Sequence, residues 1–366
     1  MPTDAWRINN LHCKKKIMGL DKVSNKKFFE NVLLFERKNK PFILYRKPFE
    51  YDLTFHSGRT TNKDFRNISD NSFFLIPFNN KKGYVIKNEI TIKTKYVANK
   101  RLEKSNKTPS NFLVSETEKN SYLHSIKELV KKIKQKKLLK IVFSKKFSFK
   151  YPKSNCLKTF KKILDSYDDA FCYMFFHPDQ GYWVGASPEL LFEKQNENLT
   201  TMALAGSKFI KSESWTKKEI EEQKIVKDEI YENLKPICSS LEIGETVTVS
   251  AGKIQHLKTE FKGTSEASCQ EIVDVLFPTS AIAGLPKDEA FAEISRSENH
   301  DRSFYSGFLG QIENDRSFSF VNLRCFNLKS DVLSLYVGSG ITQKSDPEKE
   351  WKEILKKSET MLNALF

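Results

Sequence analysis

Hydrophobic positions along this chain follow two rhythms, one with helical spacing and one that is nearly continuous or alternating. In residues 121–137, SYLHSIKELVKKIKQKK, apolar or aromatic side chains fall at 122, 123, 126, 129, 130 and 133, the spacing of one helical face, with Ser121 as the expected cap. LLKIVFSKKFSF (138–149) then reads as a strand rich in β-branched and aromatic residues, and SNCLKTFKKILDSY as a second helix. AFCYMFFHP and GYWVGASPELLFEK predict a strand pair about the turn HPDQG, and LTTMALAGSKF predicts a further strand. WTKKEIEEQKIVKDEIYENLKPI predicts a long helix with Ile220, Val226, Ile230 and Leu234 along one face. After it come a hairpin (ETVTVSAGKIQHLKTEFKG), a helix ending at Pro278 (CQEIVDVLF) and a second hairpin about ENDRS. The strand VLSLYVGSGIT and the helix DPEKEWKEILKKSETMLNAL close the chain.

Residues 1–110 are less regular. FFENVLLFE, PFILYRK, FFLIPF and GYVIK read as strands or short helices between Lys/Asn-rich loops, and residues 88–120 as a boundary or mobile loop. Helices and mostly antiparallel strands alternate in groups. The expected fold is therefore α/β of the α+β kind, a layered sandwich, and not a doubly wound parallel sheet. The expected division is 1–115, a divergent N-terminal part, and 116–366, the region that carries the chemistry.

Composition narrows the function. No apolar run approaches ~18 residues, so no membrane-spanning helix is expected. MPTDAWRINNLHCKKK lacks the order of a signal peptide. The six cysteines are scattered without a CxxC pair, which argues against zinc and fits reduced thiols in a cytoplasm. Net charge is +15, yet only 10 of the 61 basic residues are Arg, so a solvated basic surface fits better than a nucleic-acid groove. GxxxxGK[ST], GxGxxG and HExxH are all missing.

Several residues stand out against this background. Glu350, Glu353 and Lys357 share one face of the last helix, with Leu355, Met361 and Leu362 towards others. Aligned carboxylates suit a hard cation such as Mg²⁺, or form a solvated, salt-bridged face. Glu219, Glu221 and Glu222 make a second acidic cluster with the same two readings. Lys140 lies inside an apolar run, on one face with Val142 and Ser144. Burial disfavours a lysine's charged form and suits it to take a proton; the other reading is a stem covering the sheet edge with its head in water. Glu189, in GASPELLF, is a candidate general acid with a raised pKa, or an edge glutamate paired with a lysine. Arg324, in the apolar run FVNLRCF, needs an anion, either structural or from a ligand. Gly206, Gly338 and Gly340 either let backbone N–H groups approach an anion or serve turns and bulges.

Nine segments in order resemble the chorismate-utilising enzyme family across about residues 121–366. They are LKIVFSK, GASPELLF, MALAGS, EEQKIVKDEI, QHLKTEFKG, PTSAIAGLPK, ENHDRSFYSG, FVNLRCF and YVGSGITQKSDPEKEWKE. The resemblance implies a sandwich of two mostly antiparallel sheets with helices outside, binding chorismate and one Mg²⁺. It implies Glu222, Glu350 and Glu353 as metal carboxylates and Arg324 as the clamp for a substrate carboxylate. Gly206, Ser207, Gly338 and Lys357 are expected around the substrate carboxylates and metal. Ala281, Ile282, Phe304, Leu323 and Tyr336 would form an apolar wall. Lys140 at its position marks the members that add water at C2, which needs a base, and Glu189 would protonate the departing C4 hydroxyl. The implied activity is isochorismate synthase, an isomerase, for menaquinone synthesis. Salicylate synthesis, a siderophore pathway or a catalytically weak chorismate-binding protein are the alternatives. No nucleic acid, membrane or glutaminase partner is expected. Two departures stand out: Gln223 and Phe277 occupy positions where the family usually has His.

Overall fold

The computed structural model describes residues 21–366 except 80, 99–113, 136–137, 210–213 and 252–253. Cys13, much of the expected boundary at 88–120, the end of the 121–137 helix and the tip of the first hairpin lie outside the described residues. Helices are α1 (Asn25–Arg37), α2 (Glu116–Lys134), α3 (Cys156–Ser166), α4 (Lys217–Leu234), α5 (Cys269–Leu276), α6 (Lys287–Ser297) and α7 (Pro347–Leu365).

Two sheets of ten strands each, counted among the described residues, stack face to face. The centre of the first runs Phe42–Arg46, Phe171–His177, Gly181–Ser187, Cys325–Lys329, Val332–Thr342 and Lys140–Lys150. The centre of the second runs Ile254–Thr264, Asn198–Phe209, Leu190–Gln195, Arg316–Val321, Phe308–Ile312 and Ser72–Ile76. Pairing is antiparallel except between Asp21–Lys22 and Ile90–Lys95. Strands from residues 42–95 enter both sheets: Phe42 pairs with Phe176, and Ile76 with Phe308.

The near-continuous apolar runs have a simple cause, because the central strands are covered on both faces. Along Phe171–His177, Phe171, Tyr173 and Phe175 point between the sheets. Cys172, Met174 and Phe176 alternate with them and pack beneath the helix layer. α1, α2, α3, α6 and α7 cover the first sheet, while α4 and α5 cover the second. The result is a four-layer sandwich, as the sequence predicts.

Three local expectations change. α2 starts at Glu116 with a reciprocal Ser115–Glu118 cap, so Ser121 lies inside the helix and does not cap it. On α4 the buried face is Gln223, Val226, Ile230 and Leu234, whereas Ile220 is exposed. A polar residue that satisfies its hydrogen bonds replaces an apolar one in the stripe. GYWVGASPELLFEK is not one strand: it breaks after Ser187 and re-enters at Leu190 in the other sheet.

Candidate active site

The chain crosses between the sheets twice near the middle of the sandwich, at Ser187–Leu190 and at Val321–Cys325. The two corners are tied together. Val321 N–H donates to the Glu189 carbonyl at 3.0 Å, and Ala186 N–H to the Arg324 carbonyl at 3.1 Å. Arg324 has φ of 48°, the left-handed region that a crossing corner demands. Both side chains reach one pocket, lined also by Val142, Gly206, Ser207, Glu222, His256, Tyr305, Gly338, Gly340, Lys357 and Met361.

Glu189 is 4% exposed. Burial pushes its carboxyl up to about 8, against the pull of the Lys140 charge. It is therefore largely protonated at neutral pH, the state a general acid requires.

Strands Lys140–Lys150 and Val332–Thr342 pair so that Gly340 faces Val142 and Thr342 faces Lys140. Ile141 and Phe143 turn to the helix layer, and Val142 lines the pocket. Lys140 is fully buried, with its Nζ 3.0 Å from Glu222 Oε1. The two charges pair by distance, but Nζ meets no acceptor at a hydrogen-bonding angle among the described residues. Gly340 makes room for this pair: a Cβ there would lie 2.3 Å from Glu222 Oε1 and 3.1 Å from Lys140 Cε.

α4 and α7 carry the expected metal carboxylates, and each is paired with a lysine. Lys218 Nζ is 2.6 Å from Glu350 Oε1, and Lys357 Nζ is 2.7 Å from Glu353 Oε1. Burial favours the neutral form of Lys218, but Glu353, Glu350 and Glu222 outweigh it and hold the ammonium above its ordinary value. For Glu353, burial is likewise outweighed, by Lys357 and Lys218, so its carboxyl is held low. Burial and the Glu353 charge raise Glu350. An all-carboxylate donor set fits a hard cation, and the buried Glu350 Oε2 has no hydrogen-bond partner among the described residues. In this lysine-paired arrangement, no three acidic, His or Cys side chains among the described residues lie close enough to hold a metal.

The opposite wall depends on two residues that the sequence does not single out for a task. Gln223 Oε1 accepts from Ala205 N–H at 2.8 Å, while its Nε2 donates to the Ala203 carbonyl at 3.2 Å and to Thr259 Oγ1 at 3.1 Å. The side chain clamps the strand just before Gly206, where φ is +69°. The departure from His thus preserves a fully bonded buried group. The Gly206 carbonyl accepts from His256 Nδ1 at 2.9 Å, which leaves Nε2, 2.7 Å from Arg324 Nη2, as an acceptor. Burial, with the Arg324 and Lys357 charges, lowers His256 to about 3, so the ring is neutral and orients Arg324. Arg324 Nη1 also donates to Thr360 Oγ1 at 3.2 Å. Burial along Ile254–Thr264 changes phase between His256 and Leu257, both buried, so no alternation singles out His256 or its partners.

Of the residues expected to touch substrate, Gly206, Ser207, Ala281, Ile282, Leu323, Arg324, Tyr336, Gly338 and Lys357 all line the pocket. Phe304 does not: its ring packs 5.4 Å from Trp183 in the inter-sheet core, and the next residue, Tyr305, takes the wall. Met361 joins the Lys357 face, one turn on, instead of lying on another. The second acidic cluster divides. Glu219 caps α4 through Thr216, Glu221 bonds the exposed Lys344, and only Glu222 turns inward. Phe277 lies away from the pocket, with its ring 4.6 Å from that of Phe308.

Known proteins share this architecture. The structure of MenF, the menaquinone-specific isochorismate synthase of Escherichia coli, superposes with a TM-score of 0.76 at 20% identity, covering 89% of each chain. Among curated proteins, isochorismate synthase MenF of Pasteurella multocida is 29% identical over 258 residues, covering 66% of this chain and 60% of its own length. MenF of Escherichia coli K12 is 31% identical over 200 residues, covering 50% of this chain and 46% of its own. The chain thus spans about half to three fifths of the curated relatives it matches. The family described as chorismate binding enzyme matches residues 76–366, so the chain belongs to the chorismate binding enzymes.

Proposed function

We propose that this protein is an isochorismate synthase that adds water at C2 of chorismate and expels the C4 hydroxyl. The observation that carries the reading is Glu189, a carboxyl kept protonated by burial in a pocket that also holds Arg324. Glu189 delivers its proton to the leaving hydroxyl. Lys140 is the group assigned to take the proton of the attacking water. Arg324, oriented by neutral His256, clamps a carboxylate of the dianionic substrate. Glu222, Glu350 and Glu353 are the residues that would hold Mg²⁺, which neutralises substrate carboxylate charge when bound.

The apolar lining supplied by Ala281, Ile282 and Leu323 supports release of isochorismate over further elimination of pyruvate to salicylate. The relatives named isochorismate synthase MenF, together with a MenF structure described as menaquinone-specific, support a menaquinone pathway. No helix among the described residues is long and apolar enough to cross a membrane. The test is incubation with chorismate and Mg²⁺, with and without EDTA, and chromatographic identification of products. Isochorismate that disappears with EDTA is the expected result. Salicylate with pyruvate would replace the reading with salicylate synthase, and binding without product would reduce it to a chorismate-binding protein.

A further inference from the structure

Each of the three carboxylates assigned to the cation holds a lysine: Lys140 on Glu222, Lys218 on Glu350 and Lys357 on Glu353. Two of these lysines have other work. Lys140 is the residue assigned as base, and Lys357 also donates to the Gly338 carbonyl at 3.1 Å. Lys218 stands apart from substrate, in the first turn of α4, one turn before Glu222 and on the same face. Its ammonium bonds Glu350 Oε1, while the second oxygen of that carboxylate is buried without a hydrogen-bond partner among the described residues.

We propose that Lys218 is a resident competitor for the divalent cation, holding Glu350 in the cation-free protein and leaving it when the cation binds. The inference rests on the reading that Glu222, Glu350 and Glu353 receive the cation. Three carboxylates facing three lysines leave no carboxylate as an unpaired buried charge when metal is absent. A dication that takes Glu350 must displace the ammonium from an oxygen they both need. The four-carbon stem starts at the open end of α4, so the head can turn to water and stay solvated. Cation binding becomes an exchange, weaker than binding to bare carboxylates.

The test is Mn²⁺ binding to the full chain without chorismate, followed by electron paramagnetic resonance, with Mg²⁺ competition. Removing one charge at contact distance with Lys218→Met should tighten binding by about tenfold. Lys218→Arg, which keeps the charge, should stay within about twofold of wild type. Equal or weaker binding by Lys218→Met, with wild type binding normally, overturns the competitor role and leaves the cation site standing. No saturable binding by wild type or variant overturns the cation site and the competitor with it. Thermal melts report folding; if Lys218→Met does not fold, Lys218→Gln, which keeps a donor for Glu350, is read in the same way.

Discussion

Replacing Glu189 with Gln should make the protein more stable and inactive. The ordinary carboxyl value is 4.5, and burial raises this one to about 8. Between those limits the folded state keeps a proton that the unfolded state has released. Stability relative to a neutral isostere therefore falls as pH rises from 4.5 to 8, then stays level, at about 1.4 kcal/mol per pH unit. At pH 7 the accumulated cost is about 3 kcal/mol, which Glu189→Gln removes because its amide never ionises. Below pH 4.5 wild type and variant should melt together. At pH 7.5 the variant should melt several degrees higher. Turnover should fall by at least ~100-fold, the contribution of a positioned acid. Wild-type turnover should itself decline above about pH 8 as the acid loses its proton. The assay is scanning calorimetry at pH 4.5, 6 and 7.5 beside chorismate turnover. Equal melting temperatures at every pH, or turnover within tenfold of wild type, would refute the buried-acid argument.

Lys140→Ala removes the base and the partner of Glu222, so turnover should be lost and chorismate binding, read by calorimetry, should remain. Gly340→Ala places a methyl 2.3 Å from Glu222 Oε1, so Mn²⁺ affinity and turnover should fall together. Gln223→Leu leaves the buried Ala205 N–H unpaired, a loss of about 1–3 kcal/mol by urea denaturation, with KM raised as the Gly206 wall loosens.

Much of this protein is written in its linear pattern. The apolar runs specify central strands covered on both faces, and helical stripes such as Val226, Ile230 and Leu234 specify the outer layers. These signals are local, because burial on a strand or helix repeats with the element's own period. Lys140, Glu189 and Arg324 stand out for a related reason: an ionisable group inside an apolar run is visible without knowing its neighbours. The partners are a different matter. Nothing in the spacing joins Lys218 to Glu350, 132 positions away, or His256 to Arg324, 68 away. Those pairs exist because the chain crosses between the sheets at Glu189 and at Arg324, and because α4 and α7 meet beside the same pocket. The same geometry places Tyr305 on the wall and sends Phe304 into the core. Periodicity gives the face a residue takes, whereas contact between faces from distant segments is set only when the layers close on one another.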